Sequence, residues 1–519
     1  MSNKKYLTYF TLILTVLIFE GMTMDLFAQK KTKIQLIRAE SMLGKKVNGA
    51  ELNIFIGDVV FEHDSAYLYC DSAVFDNKQN NLRSYGKVHV KVNDTLSLFS
   101  DTLNYNGNTR IGVATGNVKM VDNQATLFTD HLTYNRITQV AFYTTGGKII
   151  NDDNELVSKK GYYHTETKDL FFKEDVVLTN PEYIVESDTL KYNTSSEIAF
   201  IAGPTTIKGK DEFLYAEGGW YDTKSDKTEL ILNPWLTYKE QYLSGDKIFY
   251  DKASGSGSVT GNAFIKDTVQ KVIVTGNYAD FHRKQGYAYA TDSATAILID
   301  KKDSLFMHAD TLRITFDSTD NPQKMLAFFK CKFYKTDIQG MCDSLEYSFS
   351  DSTITLFHSP VLWTQENQLT ADHIKIYTSN QQVDSMNMTN SSFIISVDKF
   401  NNENFNQIKG KNMTGYFKEN ELFKMTVTGN SETVYFVREE DGAMIGINKG
   451  QASNMDIFIS ERQISDIMYF ENPDAILYPE NEFPKEELKL RDFKWFANER
   501  PYNRFDIYRW EGTVPVLKR

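Results

Sequence analysis

Short runs along most of this chain alternate strictly between apolar and polar residues. In SDTLNY (100–105), Leu103 and Tyr105 fall on one side and Thr102 and Asn104 on the other. Leu132 with Tyr134 opposes His131 with Thr133, and Leu190 with Tyr192 opposes Thr189 with Lys191. A second kind of run, GKVHV (86–90) or GNVKM (116–120), puts Val88 with Val90, or Val118 with Met120, on a common face. A period of two over such lengths predicts half-buried β-strands. Turn residues separate the runs, as at Asn77 to Asn81, Asn93-Asp94 and Asn106-Gly107-Asn108. The apolar sides are expected to face one another and the polar sides to face water.

The runs recur. SDTLNYN (100–106) returns as SDTLKYN (187–193), 87 residues on, three times 29. Related elements close on Phe75, Tyr105, Tyr134, Tyr163, Tyr192, Tyr221, Tyr250, Phe281, Ile314, Tyr347, Ile376, Tyr416 and Phe458. Their spacings are 30, 29, 29, 29, 29, 29, 31, 33, 33, 29, 40 and 42. Between them lies the second element, GDVVF (57–61), GKVHV, GNVKM, EDVVL (174–178) and GNAFI (261–265) among others. A fixed internal period of this size is the mark of a repeat architecture. The expected fold is all-β and elongated, a β-solenoid of about 13 or 14 units of roughly 29 residues each, in which a unit contacts mainly its neighbours. At ~4.8 Å per strand layer, fourteen units would stack to roughly 65 Å, or about 130 Å with two layers per unit.

The composition agrees with this: aromatics are 13% and Pro numbers only 10 in 519 residues. The N-terminus departs from the pattern. Lys4 and Lys5 precede the apolar run YLTYFTLILTVLIF (6–19), and Ala28 ends a stretch with a small residue at a plausible cleavage point. That is the layout of a secretory signal peptide over 1–28, although an uncleaved anchor stays open. The apolar run is shorter than the ~20 residues of a spanning helix. The mature chain is therefore expected to leave the cytoplasm. The remaining organisation reads as regular repeats over 29–270, more divergent repeats over 271–470, and a separate tail over 471–519.

Candidate chemistry is sparse. The eight histidines are scattered, with no HExxH spacing, no phosphate-binding glycine loop and no nucleophile elbow. No cofactor, metal site or catalytic residue is expected, and the chain reads as a non-enzyme. The recurrent Asp (71, 101, 130, 188, 246, 310, 343, 372) precedes a strand rather than sitting in a calcium loop, so it is read as capping a corner through backbone N–H groups. Cys331 and Cys342 could pair in an exported protein, but Cys70 and Cys342 occupy a slot filled elsewhere by Ser, Thr or Ala, where smallness suffices. The net charge of −12, with no basic stripe, excludes a nucleic-acid partner. The stretch 485–519 differs, with nine Lys/Arg against six Asp/Glu and many aromatics. It reads as a cap over the last repeat or as a docking element, with Trp495, Phe496, Tyr508 and Trp510 the docking candidates.

GVATGNVKM (112–120) beside LFTDHLTY (127–134), and LRSYGKVHV (82–90) beside LFSDTLNY (98–105), resemble the OstA-like family of periplasmic lipopolysaccharide-transport proteins, which includes the LptA-like members. The resemblance covers roughly 36–460. It implies a β-jellyroll, a folded sheet open along one side, whose apolar interior shields lipid acyl chains on the way to the outer membrane. It also implies a lipopolysaccharide or related glycolipid as cargo, edge-to-edge strand pairing with other transport proteins, and an outer-membrane translocon as partner. The room after residue 460 is too short for the eight strands of a transmembrane barrel. The groove candidates are Val59, Val88, Leu103, Tyr105, Val118, Met120, Leu132, Tyr134, Leu190 and Tyr192. An exported structural or adhesive filament with a filled core is the alternative. A polysaccharide-active β-helix is disfavoured, because the polar slots Ser72, Thr102, His131 and Thr189 form no constant set.

Overall fold

The computed structural model describes residues 32–511, except 48–49, 93–95, 123–124, 152, 320, 365, 380–381 and 461–462. The signal-peptide reading over 1–28 and the turn expected at Asn93-Asp94 lie outside the described residues. The chain divides into two compact units, Met1–Glu174 and Asp175–Arg519. The described residues are all-β apart from short 3₁₀ turns, and each strand pairing with an assigned register is antiparallel.

In the first unit, strands Ala50–His63, Ala66–Asp76, Asn81–Lys91, Leu96–Asn106, Ile111–Asp122 and Ala125–Asn135 follow one another as a meander. The two short runs read from the sequence are therefore two arms of single longer strands. Each pairing is interrupted at its middle. Phe99 pairs with Lys119 and Thr102 with Thr115, so two residues on one strand oppose three on the next. Such a bulge bends the strand and re-aims its side chains. On one strand Ser100 and Leu103 both point inward, with Asp101 and Thr102 between them on the outer side; on the next, Ala114 and Val118 do so around Thr115-Gly116-Asn117. Further on, the bend becomes a break, and Val140–Tyr143 and Gly147–Asn151 pair with the two arms of one strand, Ala125–Asn135.

The bend folds one arm over the other. Phe61 of one arm meets Phe55 and Phe75 of the other at centroid distances of 5.3 and 5.9 Å. The core of the first unit is this interior, with Val59, Leu82, Ala114, Val118 and Leu132 all buried.

Three local devices explain the repeat's spelling. First, where Ser precedes the corner Asp it points inward, and its hydroxyl donates to the carbonyl two residues on, as in Ser100 to Thr102 and Ser187 to Thr189. Space there is short, which is why Cys70 is accepted in the slot. Secondly, the corner Asp packs over a glycine with positive φ on the next strand. A Cβ on Gly116 (φ 80°) would come within 2.5 Å of the Asp101 carboxylate. That carboxylate accepts from the side-chain amide of Asn117 at 2.9 Å, and Asp246 accepts in the same way from Asn262. The Asp does sit at the corner, but the donor to Asp101 and Asp246 is a cross-strand side-chain amide and not the backbone N–H groups expected from the sequence. Thirdly, the seventh residue of SDTLNYN closes the turn: Asn106 Oδ1 accepts from the N–H groups of Asn108 and Thr109, and Asn193 does the same for Ser195 and Ser196. Turns of successive repeats are then tied by backbone bonds, Gly107 N–H to Asn80 O, Arg136 N–H to Arg110 O and Thr165 N–H to Gln139 O.

The second unit continues with the same elements and then lengthens them. Gln382–Asp398, Asn401–Lys418, Glu421–Arg438 and Met444–Ser460 run to 17, 18, 18 and 17 residues. Two such strands and their turns account for the late spacings of 40 and 42. Alternation also fails here: Phe393, Ile394 and Ile395 are all buried, as are Val361, Leu362 and Trp363. Their inward members join the main core, and the outward ones pack beneath the C-terminal segment.

Candidate functional site

Of the ten interior positions singled out from the sequence, Val59, Val88, Leu103, Tyr105, Val118, Met120, Leu132 and Leu190 are buried, while Tyr134 and Tyr192 are half-buried. Equivalent apolar side chains thus recur from strand to strand inside the folded sheet. Buried side chains line that interior. A cavity of about 50 Å³ remains at the start of the first unit, lined by Ile34, Phe61, Leu68, Leu82, Leu98 and Leu103, with His63, Tyr105 and Arg136 at its polar end. For scale, a cavity of roughly 150 Å³ is what takes up benzene.

Beside this cavity the free ends of the two arms meet, on the side away from the corners. His63 Nδ1 lies 2.7 Å from the Tyr105 hydroxyl and its Nε2 lies 2.8 Å from the Thr32 hydroxyl. Arg136 donates to the carbonyls of His63 and Asp64 at 2.9 and 2.8 Å, and Arg110 pairs with the Asp64 carboxylate at 2.8 Å. A second bridge of this kind joins Asp122, on one arm, to the Tyr163 hydroxyl and to Lys168 Nζ, the latter at 2.9 Å. Where the resemblance implies a side open along its length, the first unit has a seam laced by side chains. Sequence reading placed Tyr105 in the interior for its apolar body and missed its hydroxyl's partners. Nothing local marks His63, Arg110 and Arg136 as neighbours, since they come from three different turns.

Burial shapes the seam's electrostatics. Desolvation lowers the His63 pKa below its ordinary value, against the pull of the Thr32 carbonyl and Asp64. Burial would raise the Asp64 carboxyl, but the Thr32 hydroxyl, His63, Arg110 and Arg136 together hold it below the usual range. The Tyr105 and Tyr163 phenols are pushed up, chiefly by burial. Burial likewise raises the Cys70 thiol to about 11. Cys331 and Cys342 stand directly opposite each other as free, buried thiols. Among the described residues no group of three or more His, Cys, Asp and Glu is placed to hold a metal ion.

The tail lies across the outer face of the second unit's strands. Three buried glutamines hold it, two by its backbone and one by a side chain. Gln407 donates to Leu488 O and accepts from Leu490 N, Gln368 donates to Lys494 O and accepts from Phe496 N, and Gln339 accepts from Arg500 Nε. Glu499 forms an ion pair with Lys332 at 2.9 Å, each side chain 1% exposed. Trp495, Phe496 and Trp510 pack onto the strands, half-buried. Tyr508 is exposed, with its hydroxyl 3.0 Å from that of Thr295 and its ring against His308. Sequence reading found the aromatics of this segment but not Gln339, Gln368 and Gln407. The signal available was the loss of alternation at SSFIIS and PVLW, where both strand faces are apolar.

Residues 31–188 match the family model described as OstA-like protein. The match falls on the regular, bent-strand repeats and their seam. Among solved structures, one similar chain is LptH of Pseudomonas aeruginosa, described as the LptA homologous periplasmic component of the lipopolysaccharide transport device. It shares 15% identity over 22% of this chain and 82% of its own, with a TM-score of 0.20. A comparison with curated proteins finds no match. Among the described residues no helix is long and apolar enough to cross a membrane.

Proposed function

We propose that this OstA-like protein is an exported, non-enzymatic carrier that holds the acyl chains of a lipopolysaccharide or related glycolipid between the two arms of its folded sheet. One observation carries the reading: apolar side chains at equivalent positions, Val59, Val88 and Val118 or Leu103, Leu132 and Leu190, recur inside the fold from unit to unit. Burial of a methylene is worth about 0.8 kcal/mol, so a multi-chain lipid does not cross water unaided at a useful rate. Equivalent sites in series give similar affinity at each step, and a cargo moves along them without a deep trap. The cargo requires the arms to part, since the cavity at the start of the first unit is only about 50 Å³.

The terminal strands support assembly into a longer path by strand addition. Gln35–Arg38 and Ser41–Val47 pair with the two arms of Ala50–His63 and expose Leu36, Ile37, Met42 and Leu43. Exposed apolar edges of this kind invite pairing with another chain. Other transport proteins, including an outer-membrane translocon, are the partners this reading calls for, and a periplasmic location goes with it.

A photo-crosslinking residue at Leu132, with Thr133 as the outward control, tests the carrier in cells. Lipopolysaccharide adducts at 132 and not at 133 are expected. A lipid-free structural filament is the second reading, favoured by the small residual cavity. Absence of adducts at both positions in folded protein would leave it standing alone.

A further inference from the structure

The two arms of the first unit are joined differently along their two sides. At the corners they are one continuous strand, and hydrogen-bonded ladders run along each arm. At the seam described above, what joins them is side chains: Asp64 to Arg110, Arg136 to the His63 and Asp64 carbonyls, and His63 to Tyr105. Parting the arms there breaks no ladder bond, so the seam is the line along which the interior opens most readily. The groups that hold it shut are also groups that recognise anions. A guanidinium matches a carboxylate or a phosphate with parallel N–H bonds, and such charge-assisted bonds are about twice as strong as neutral ones. The cavity lies directly beneath, with an apolar lining and Arg136 at its polar end.

We infer that the seam formed by Thr32, His63, Asp64, Tyr105, Arg110 and Arg136 is an entry site for an anionic amphiphile. Its chain enters the cavity beneath, and its carboxylate or phosphate takes Arg110 over from Asp64, with Arg136 alongside. The site rests on the carrier reading for its cargo class, and adds a place of entry and a demand on the head group. Loading is an exchange of ion pairs: the carboxylate that closes the empty seam is replaced by the anion of the guest. Asp64 and Glu62, which also lines the cavity, are the carboxylates the head must displace or share. A guest with a neutral head has no such exchange available and leaves the seam's own bonds to be broken without replacement.

The test uses the purified full chain and three probes with the same twelve-carbon tail: dodecanoate, dodecyl phosphate and dodecyl maltoside. Calorimetric titration of the wild type is expected to give at least about tenfold tighter binding for an anionic probe, the scale of one charge-assisted hydrogen bond. Dodecanoate against dodecyl phosphate tells whether the favoured anion is a carboxylate or a phosphate. Arg110→Gln is expected to remove the preference by weakening the anionic probes, while dodecyl maltoside, which no longer has the Asp64–Arg110 bond to break, binds no more weakly than before. Asp64→Asn, which removes the competing carboxylate, is expected to tighten the anionic probes. Arg110→Lys keeps the charge with a single donor point and retains part of the preference, which guards against an Arg110→Gln chain that does not fold. Equal binding of all three probes to the wild type, or an intact preference in folded Arg110→Gln, overturns the entry site while sparing the carrier. Failure of the wild type to bind any probe, with no adducts at Leu132, overturns both.

Discussion

Compare the strands Ala66–Asp76 to Ala125–Asn135 with those from Gln382–Asp398 to Met444–Ser460. Both sets are bent antiparallel meanders with a bulge at each corner. The first are 11 or 12 residues long and leave their outer faces to solvent, where Tyr69, Phe99 and Phe128 stand exposed. The second are 17 or 18 residues long, and a chain segment covers part of their outer face, so that Phe393, Ile395, Val434 and Phe436 are buried there. One repeat therefore supports two designs. The short unit has a single apolar side and holds itself with local corner and turn devices. The long unit adds a second apolar layer and depends for its cover on a segment up to about 100 residues further along the chain.

The difference is most sharply broken at the tail. Glu499→Ala leaves Lys332 buried without its carboxylate, and loss of one partner of such a pair costs roughly 3–5 kcal/mol. Chemical denaturation should show that loss in the transition of the second unit, together with faster proteolysis within 480–511. Exchanging both residues for apolar ones of similar size should recover most of the stability, and failure to do so would place the strap's anchorage elsewhere. In the short repeats the largest effect belongs to the corner. Gly116→Ala meets both a positive φ and the Asp101 carboxylate, and a strained backbone position of this sort costs about 1–3 kcal/mol. Adding Asp101→Ala should return only part of the loss, because the φ penalty stays. The turn is next. Asn106→Ala removes the acceptor for two backbone N–H groups, at roughly 0.5–1.5 kcal/mol for a typical hydrogen bond, read as a lowered melting temperature.

Acid should act in the same direction at the seam and beneath the tail, where Tyr508 covers His308, and most weakly of all. His63 and His308 both have their pKa lowered, chiefly by burial. The unfolded chain then holds more protons than the folded one between the lowered values and about 6.5. Stability from these two groups is whole above about 6.5 and declines as pH falls below it. Denaturation midpoints measured at several values below pH 7 should fall in the wild type, and His63→Gln should flatten part of that fall.

Much of the short design was legible in the sequence because its determinants are local. Strand period two, the small residue and the Asp at each corner, the Gly of the bulge and the Asn or Asp after the aromatic all act within one or two strands, so each repeat spells them again. Val88, Val118, Leu103 and Leu132 could be placed inside on alternation alone. What the residues could not reveal is contact between turns some thirty to seventy positions apart, as at His63, Tyr105 and Arg136, where each residue is unremarkable in its own repeat.

The sequence by itself determined the strand content, the repeat length, the corner and turn chemistry, and which face of each short strand is apolar, since these follow from covalent spacing and the two-residue period of a strand. Only the tertiary structure decided that two neighbouring runs are arms of one bent strand, that the arms close on a polar seam, and that the tail lies over a second apolar face held by Gln339, Gln368 and Gln407. Those outcomes turn on which distant side chains satisfy one another once water is excluded, and a buried polar group takes whatever partner the fold brings within reach.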